Sequence, residues 1–128
     1  AELMFQQIIP YAEDQNKLSF QPKVDFIVDD IKIEIKAAKR QALGVGAGGD
    51  RWSFSIKKQA EEADFFVLFA FNQSGELDAI FFVPAELIVS KTTISISCNG
   101  KSKWHDYMVT ELELKEILDQ LTGREHSF

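Results

Sequence analysis

The sequence predicts an α+β domain, a mixed α/β fold in which a central mixed sheet is flanked by helices. Three observations carry this expectation. Apolar residues recur at helical spacing near both ends, in Met4, Phe5, Ile8 and Ile9 and again in Leu114, Ile117, Leu118 and Leu121. Segments between them alternate apolar and polar residues, the signature of half-buried strands. One stretch, Asp64 to Phe71, is almost wholly apolar and reads as a strand buried on both faces.

Composition sets the frame. The 128 residues are 45% hydrophobic, with eleven Phe and two Trp, enough to close one core and to exclude disorder. A single domain over residues 1–128 is expected. The longest apolar run, Phe65 to Phe71, is far short of the roughly 18 residues a membrane helix needs. No charged-then-apolar signal pattern opens the chain. The lone Cys98 excludes an internal disulfide and a thiolate zinc cage, so a reducing, cytoplasmic setting is the expectation.

The elements follow in order. Residues 2–9 form an amphipathic helix that Pro10 stops or kinks, with helical continuation to about Glu13. Residues 23–28 and 31–37 alternate as two strands. Ala42 to Gly49 is glycine-rich and reads as a mobile loop. Trp52, Phe54 and Ile56 alternate with polar residues in the next strand, and Lys57 to Ala63 has room for about two helical turns. After the apolar strand, Asn72 to Asp78 has a turn composition. Ala79 to Val83 is a strand ended by Pro84, which suits the first position of a short helix through Leu87. Thr92 to Ser97 alternates strictly. Asn99-Gly100 is a turn signal leading to a strand within Trp104 to Val109. Thr110 with Glu113 has capping-box spacing for the last helix, and Gly123 suits the position just past its end.

Charge at first argues against nucleic acid, since 14 basic and 20 acidic residues leave −6. The charge is unevenly spread, however. Residues 1–22 carry −2, residues 60–128 carry −7, and residues 23–59 carry +3 from eight basic and five acidic groups.

That basic middle holds the most informative pattern. With Asp29 and Asp30 as the two turn residues, Val28 faces Ile31, Phe26 faces Ile33 and Asp25 faces Glu34. Alternation then puts Val24, Phe26, Val28, Ile31, Ile33 and Ile35 on one apolar face. The other face carries Asp25 and Ile27 beside Lys32, Glu34 and Lys36. The register that buries the apolar face therefore sets two carboxylates opposite one another, with Cβ atoms roughly 4.5–5.5 Å apart. Opposed like charges destabilise a hairpin unless something positive joins them. Lys36, two positions along, is one such group, and a divalent cation is another.

An Asp on one strand followed by Glu-x-Lys, with an apolar x, on its antiparallel neighbour resembles the PD-(D/E)xK nuclease superfamily. That superfamily includes many restriction enzymes, archaeal Holliday-junction resolvases, repair nucleases and some homing endonucleases. The matching residues are Asp25 and Glu34-Ile35-Lys36, and the family's helix–three strands–helix–strand core fits the element order over roughly residues 2–83. No Pro directly precedes Asp25; Pro22 lies three residues earlier.

The resemblance implies a restriction-endonuclease-like core and a metal-dependent DNA endonuclease. It makes Asp25 and Glu34 ligands of Mg²⁺, with Mn²⁺ able to substitute, and the Ile35 main-chain carbonyl a third ligand. Lys36 would orient or activate the attacking water and stabilise the developing charge. Glu2, from the first helix, would be an additional ligand. A homodimer is expected by analogy, because cutting two strands benefits from two sites. The alternative is a non-catalytic nucleic-acid-binding or protein-interaction domain that keeps the fold.

Lys39, Arg40, Arg51, Lys57 and Lys58 flank the motif and are candidates for phosphate contacts, with Gln59 for a phosphate or the attacking water. Gly44, Gly46 and Gly49 satisfy GxGxxG, but the segment neither follows a strand directly nor opens a helix, so no nucleotide cofactor is expected. Trp52 and Trp104 read as core or interface residues. His105, His126 and Cys98 lack metal-ligand spacing.

Overall fold

Phe5 and Ile9, both fully buried, dock the first helix, α1 (Glu2–Ile8). The helix stops there. Instead of continuing to Glu13 the chain reverses around Pro10, and the Gln6 side chain donates to the carbonyls of Ile9, Pro10 and Ala12, satisfying groups that a continuing helix would have bonded. The computed structural model describes residues 1–18, 24–42, 49–56, 62–88 and 90–124. Lys57, Lys58, Gln59 and most of the glycine-rich segment, including Gly44 and Gly46, lie outside them.

A short strand, β1 (Glu13–Asp14), and a single helical turn, α2 (Gln15–Leu18), lead to the hairpin of β2 (Phe26–Val28) and β3 (Ile31–Lys39). Next come β4 (Arg51–Ser55), β5 (Phe65–Phe71) and β6 (Leu77–Pro84), then a 3-10 turn over Ala85–Leu87. Pro84 stands just before that turn rather than in it. β7 (Thr93–Ser97), a second 3-10 turn over Lys103–Tyr107, β8 (Met108–Val109) and α3 (Glu111–Leu121) complete the chain. The strand expected within Trp104 to Val109 shrinks to its last two residues, because Ser102 caps a helical turn through His105. α3 carries the predicted Thr110–Glu113 capping box, and Gly123 follows it at φ +73°.

Among the described residues, six strands form a mixed sheet in the order β1-β2-β3-β5-β6-β8. β3 and β5 run parallel and the other neighbours antiparallel. One face packs on α1 and α3 through Phe5, Ile9, Leu114 and Leu118 against Phe26, Ile33, Val67 and Phe69. The helices expected to flank the mixed sheet lie, among the described residues, on this face. The other face is covered by a two-stranded ribbon of β4 and β7, whose alternation aims Trp52, Phe54, Ile94 and Ile96 at Phe66, Leu68 and Phe81. Strand β5 is thus apolar on both faces because both are covered. Trp52 and Trp104 are buried in this second core, as the core reading expected. Among the described residues, no helix is long and apolar enough to cross a membrane.

Candidate active site

The hairpin turn adopts the predicted register, with Phe26 opposite Ile33, Ile27 opposite Lys32 and Val28 opposite Ile31. Asp29 and Asp30 both take positive φ, +46° and +74°, as a type I′ turn requires. Counting back, Asp25 falls opposite Glu34, one step beyond the last paired residues. Side chains replace main-chain ladder bonds at that step. The Asp25 amide donates to Glu34 Oε1 at 3.1 Å, and the Ile35 amide donates to Asp25 Oδ2 at 2.8 Å. Each carboxylate is fixed by the opposite strand's backbone.

Val24 departs from the expected apolar face. It joins the core on the ribbon side, because the extended pairing begins only at Phe26. Ile27, assigned to the polar face, also packs partly against that core. The face that bears Glu34 and Lys36 is therefore not a solvated charged face. It is flanked by Phe66 and Leu68 of β5, the parallel partners of Glu34 and Lys36. That neighbourhood explains why Glu34 is only 5% exposed.

Helix α1 brings Glu2 to the same place. Asn16 Nδ2 donates to Glu2 Oε1 at 2.8 Å and to Asp25 Oδ1 at 3.2 Å. Lys36 Nζ stands 3.7 Å from Glu34 Oε2. Asp25, Glu34, Ile35, Lys36 and Glu2 are thus brought together. Asn16 was not a sequence candidate; it lies in a polar run with no motif, and only its place next to β1 would have singled it out.

Crowding of acids governs their ionisation. Burial, then the hydrogen bond and repulsion from Asp25, push the Glu34 carboxyl up to about 8, against an opposing pull from Lys36. The hydrogen bond with Asp25, then burial, then repulsion by Asp25 and Asp14, raise Glu2 to about 7. Burial also works against charge on Asp25. Hydrogen bonds from Glu34, Glu2, the Ile35 amide and Asn16 outweigh it and hold Asp25 below the usual carboxylate range. Asp25 is the charged member of the set, and its neighbours hold protons against it.

Among the described residues, the basic candidates Lys39, Arg40 and Arg51 are not gathered around these acids. Lys39 points to the opposite side of β3 from Glu34 and Lys36. Arg40 lies six residues past Glu34, about 20 Å along an extended chain, and is paired with Asp50 at 2.7 Å. Arg51 is half-buried at the start of β4. The Ser102 main-chain amide donates to His105 Nδ1 at 3.3 Å, and the ring packs edge-on against Phe81.

The donor set suits a hard divalent cation. Carboxylate oxygens are its preferred ligands, and Mg²⁺ commonly takes one or two carboxylates and completes its shell with water and phosphate. Among the described residues, no three His, Cys, Asp or Glu side chains already converge as a metal cage. The fit therefore rests on Asp25 and Glu34, with Glu2 alongside. No family model and no curated protein sequence matches the chain.

Proposed function

We propose that the chain is a Mg²⁺-dependent DNA endonuclease with a PD-(D/E)xK-type site. The observation that carries this reading is the reciprocal clasp of Asp25 and Glu34, with Lys36 on the same face 3.7 Å from Glu34. Three carboxyl groups at one hairpin end, two of them pushed toward neutral pH, are costly as pure structure. They are economical where a cation is bound.

Asp25 and Glu34 would hold the ion, with the Ile35 carbonyl as main-chain ligand. Bound there, Mg²⁺ supplies Lewis-acid polarisation of a phosphate oxygen and lowers the pKa of a bound water. Lys36 keeps a positive charge beside the Glu34 carboxylate, where it orients a water and offsets charge developing on the attacked phosphate. The covered sheet face below the site, with Phe66 and Leu68, keeps bulk water away from Glu34 and strengthens these interactions. Cutting both strands of a duplex calls for two such sites, which a homodimer supplies.

The test is cleavage of duplex, branched and single-stranded DNA with Mg²⁺ or Mn²⁺. The unmodified chain is expected to cut at least one of these. Glu34→Gln and Lys36→Ala are each expected to lose at least about 100-fold. Salt-sensitive DNA binding without metal-dependent cleavage in the unmodified chain would leave the non-catalytic binding domain as the function instead.

A further inference from the structure

We propose that the outward face of the β4–β7 ribbon is the surface on which this chain docks duplex DNA. The proposal deepens the nuclease reading, on which its choice of partner rests. Strand alternation gives the ribbon two unlike faces. Trp52, Phe54, Ile94 and Ile96 turn inward to the sheet. The outward face sets Arg51 opposite Ser97, Ser53 opposite Ser95 and Ser55 opposite Thr93. It holds five hydroxyls, one guanidinium and no carboxylate.

The charge around that face is equally one-sided. Segments 51–56 and 90–105 contain Arg51, Lys91, Lys101 and Lys103 and no Asp or Glu. These 22 residues carry +4, so the other 106 carry −10 to reach the chain's −6. Lys91 stands before β7, half-buried, and Lys101 and Lys103 follow it, exposed. An ordinary solvent face in an acidic chain shares in its acids, and this one excludes them. A polyanion is the partner such a face fits. Cationic side chains release the counterions of the phosphates they neutralise, and Ser and Thr hydroxyls donate to phosphate oxygens. A carboxylate among them would repel the backbone. Shape favours DNA over RNA. A two-stranded ribbon fits the major groove of B-form DNA, about 12 Å wide, whereas that of A-form RNA is too narrow to read. Strand β4 leaves β3 at the Gln41–Arg51 bridge and runs back antiparallel to it, so its Ser55 end returns toward the level of Lys36 and Glu34. A duplex laid along the ribbon is led toward the carboxylates.

The experiment uses the full chain in EDTA with a short fluorescent DNA duplex, its anisotropy read at several NaCl concentrations. Ser95→Glu is expected to weaken binding at least about 10-fold, and Ser95→Lys to tighten it about 3-fold. Gln7→Glu adds the same charge to an exposed position of α1, across the sheet from the ribbon, and is expected to change affinity less than about two-fold. Lys101→Gln combined with Lys103→Gln is expected to lower the slope of log affinity against log salt by about 2. Opposite shifts from two long side chains at one position separate charge from misfolding, which would weaken both variants. Equal weakening by Ser95→Glu and Ser95→Lys, or by Ser95→Glu and Gln7→Glu, overturns the ribbon's role. Cleavage assays with Mg²⁺ keep the two readings apart. Cleavage by the unmodified chain, with binding unchanged in every ribbon variant, overturns the ribbon's role and leaves the nuclease reading standing. Ribbon-dependent binding without cleavage overturns the nuclease reading and leaves the ribbon as a DNA-docking surface. Absence of both binding and cleavage overturns both.

Discussion

Glu34 and Asp119 are both buried carboxylates, 5% and 4% exposed, in surroundings of opposite kind. Asp119, near the end of α3, is met by donors. It accepts from the Tyr11 hydroxyl and from Lys115 Nζ at 3.3 Å, and the Arg124 guanidinium lies 3.7 Å over the Tyr11 ring. Burial, followed by the bond to Asp119, pushes the Tyr11 hydroxyl up to about 12, so it stays a donor at ordinary pH. Glu34 is met by another carboxylate, with Glu2 beyond it and Lys36 at 3.7 Å. A buried acid surrounded by donors is a structural joint. A buried acid facing other acids waits for a proton or a cation.

Substitution separates the two most sharply. Asp119→Ala removes the partner of the half-buried Tyr11 hydroxyl and of the more exposed Lys115, and is expected to cost about 1–3 kcal/mol in urea unfolding, as for lost hydrogen bonds to a charged group. Mn²⁺ affinity should stay within about two-fold of the unmodified chain, since distant sites act independently. Glu34→Gln should do the reverse. Mn²⁺ binding is lost, while the urea midpoint at pH 8 stays level or rises because a crowded acid has been made neutral. A folded Asp119→Ala protein that no longer bound Mn²⁺ would dissolve the distinction between joint and site.

Titration sharpens the same contrast with a smaller effect. In the folded chain Glu34 gives up its proton at about 8, against 4.5 for an unperturbed glutamate, and Glu2 at about 7. Between those limits the folded state binds more protons than the unfolded one. Stability therefore falls as pH rises from about 4.5 to about 8, by at most about 1.4 kcal/mol per pH unit for the proton on buried Glu34 and by less for the exposed, solvent-screened Glu2. Asp25 is shifted the other way, so its contribution is lost only as pH falls below the usual carboxylate range. Saturating Mg²⁺ favours the ionised acids and should flatten the decline. Unfolding midpoints from pH 5 to pH 9, with and without Mg²⁺, measure it. A profile flat without metal would mean that Glu34 is ionised in place, paired with Lys36 alone.

The sequence made the hairpin legible because its two constraints agree. The apolar alternation of Phe26, Val28 and Ile33 and the two-residue Asp29-Asp30 turn demand one register, and that register places Asp25 against Glu34. The capping box of α3 was legible for the same local reason. What local pattern could not disclose is which face of the sheet a distant element covers. The β4–β7 ribbon lies over Phe66 and Leu68, which turns an apparent solvent face into the wall of the site. Asn16 and Asp119 were missed because each acquires its partners only through tertiary packing. Leu121, expected in the buried stripe of α3, is instead 49% exposed, as the helix presents Asp119 to Tyr11 one turn from its end.

The smallest expected effect lies where the two regions meet. Arg124, just past Gly123, makes two hydrogen bonds to Asp29 at 2.5 and 3.0 Å, tying the end of α3 to the turn of the hairpin that carries Asp25 and Glu34. Both partners are substantially exposed, so the pair is screened. Arg124→Gln should lower the melting temperature by about 3 °C or less. Mn²⁺ affinity should be unchanged, because the register is set by the turn and the apolar ladder rather than by this contact. Salt decides which contact matters. If the ion pair to Asp29 carries the loss, the difference shrinks in about 0.5 M NaCl, because salt weakens a solvent-exposed pair. If the difference persists there, stacking on Tyr11 carries it, and Arg124 belongs with the donors around Asp119 rather than with the hairpin.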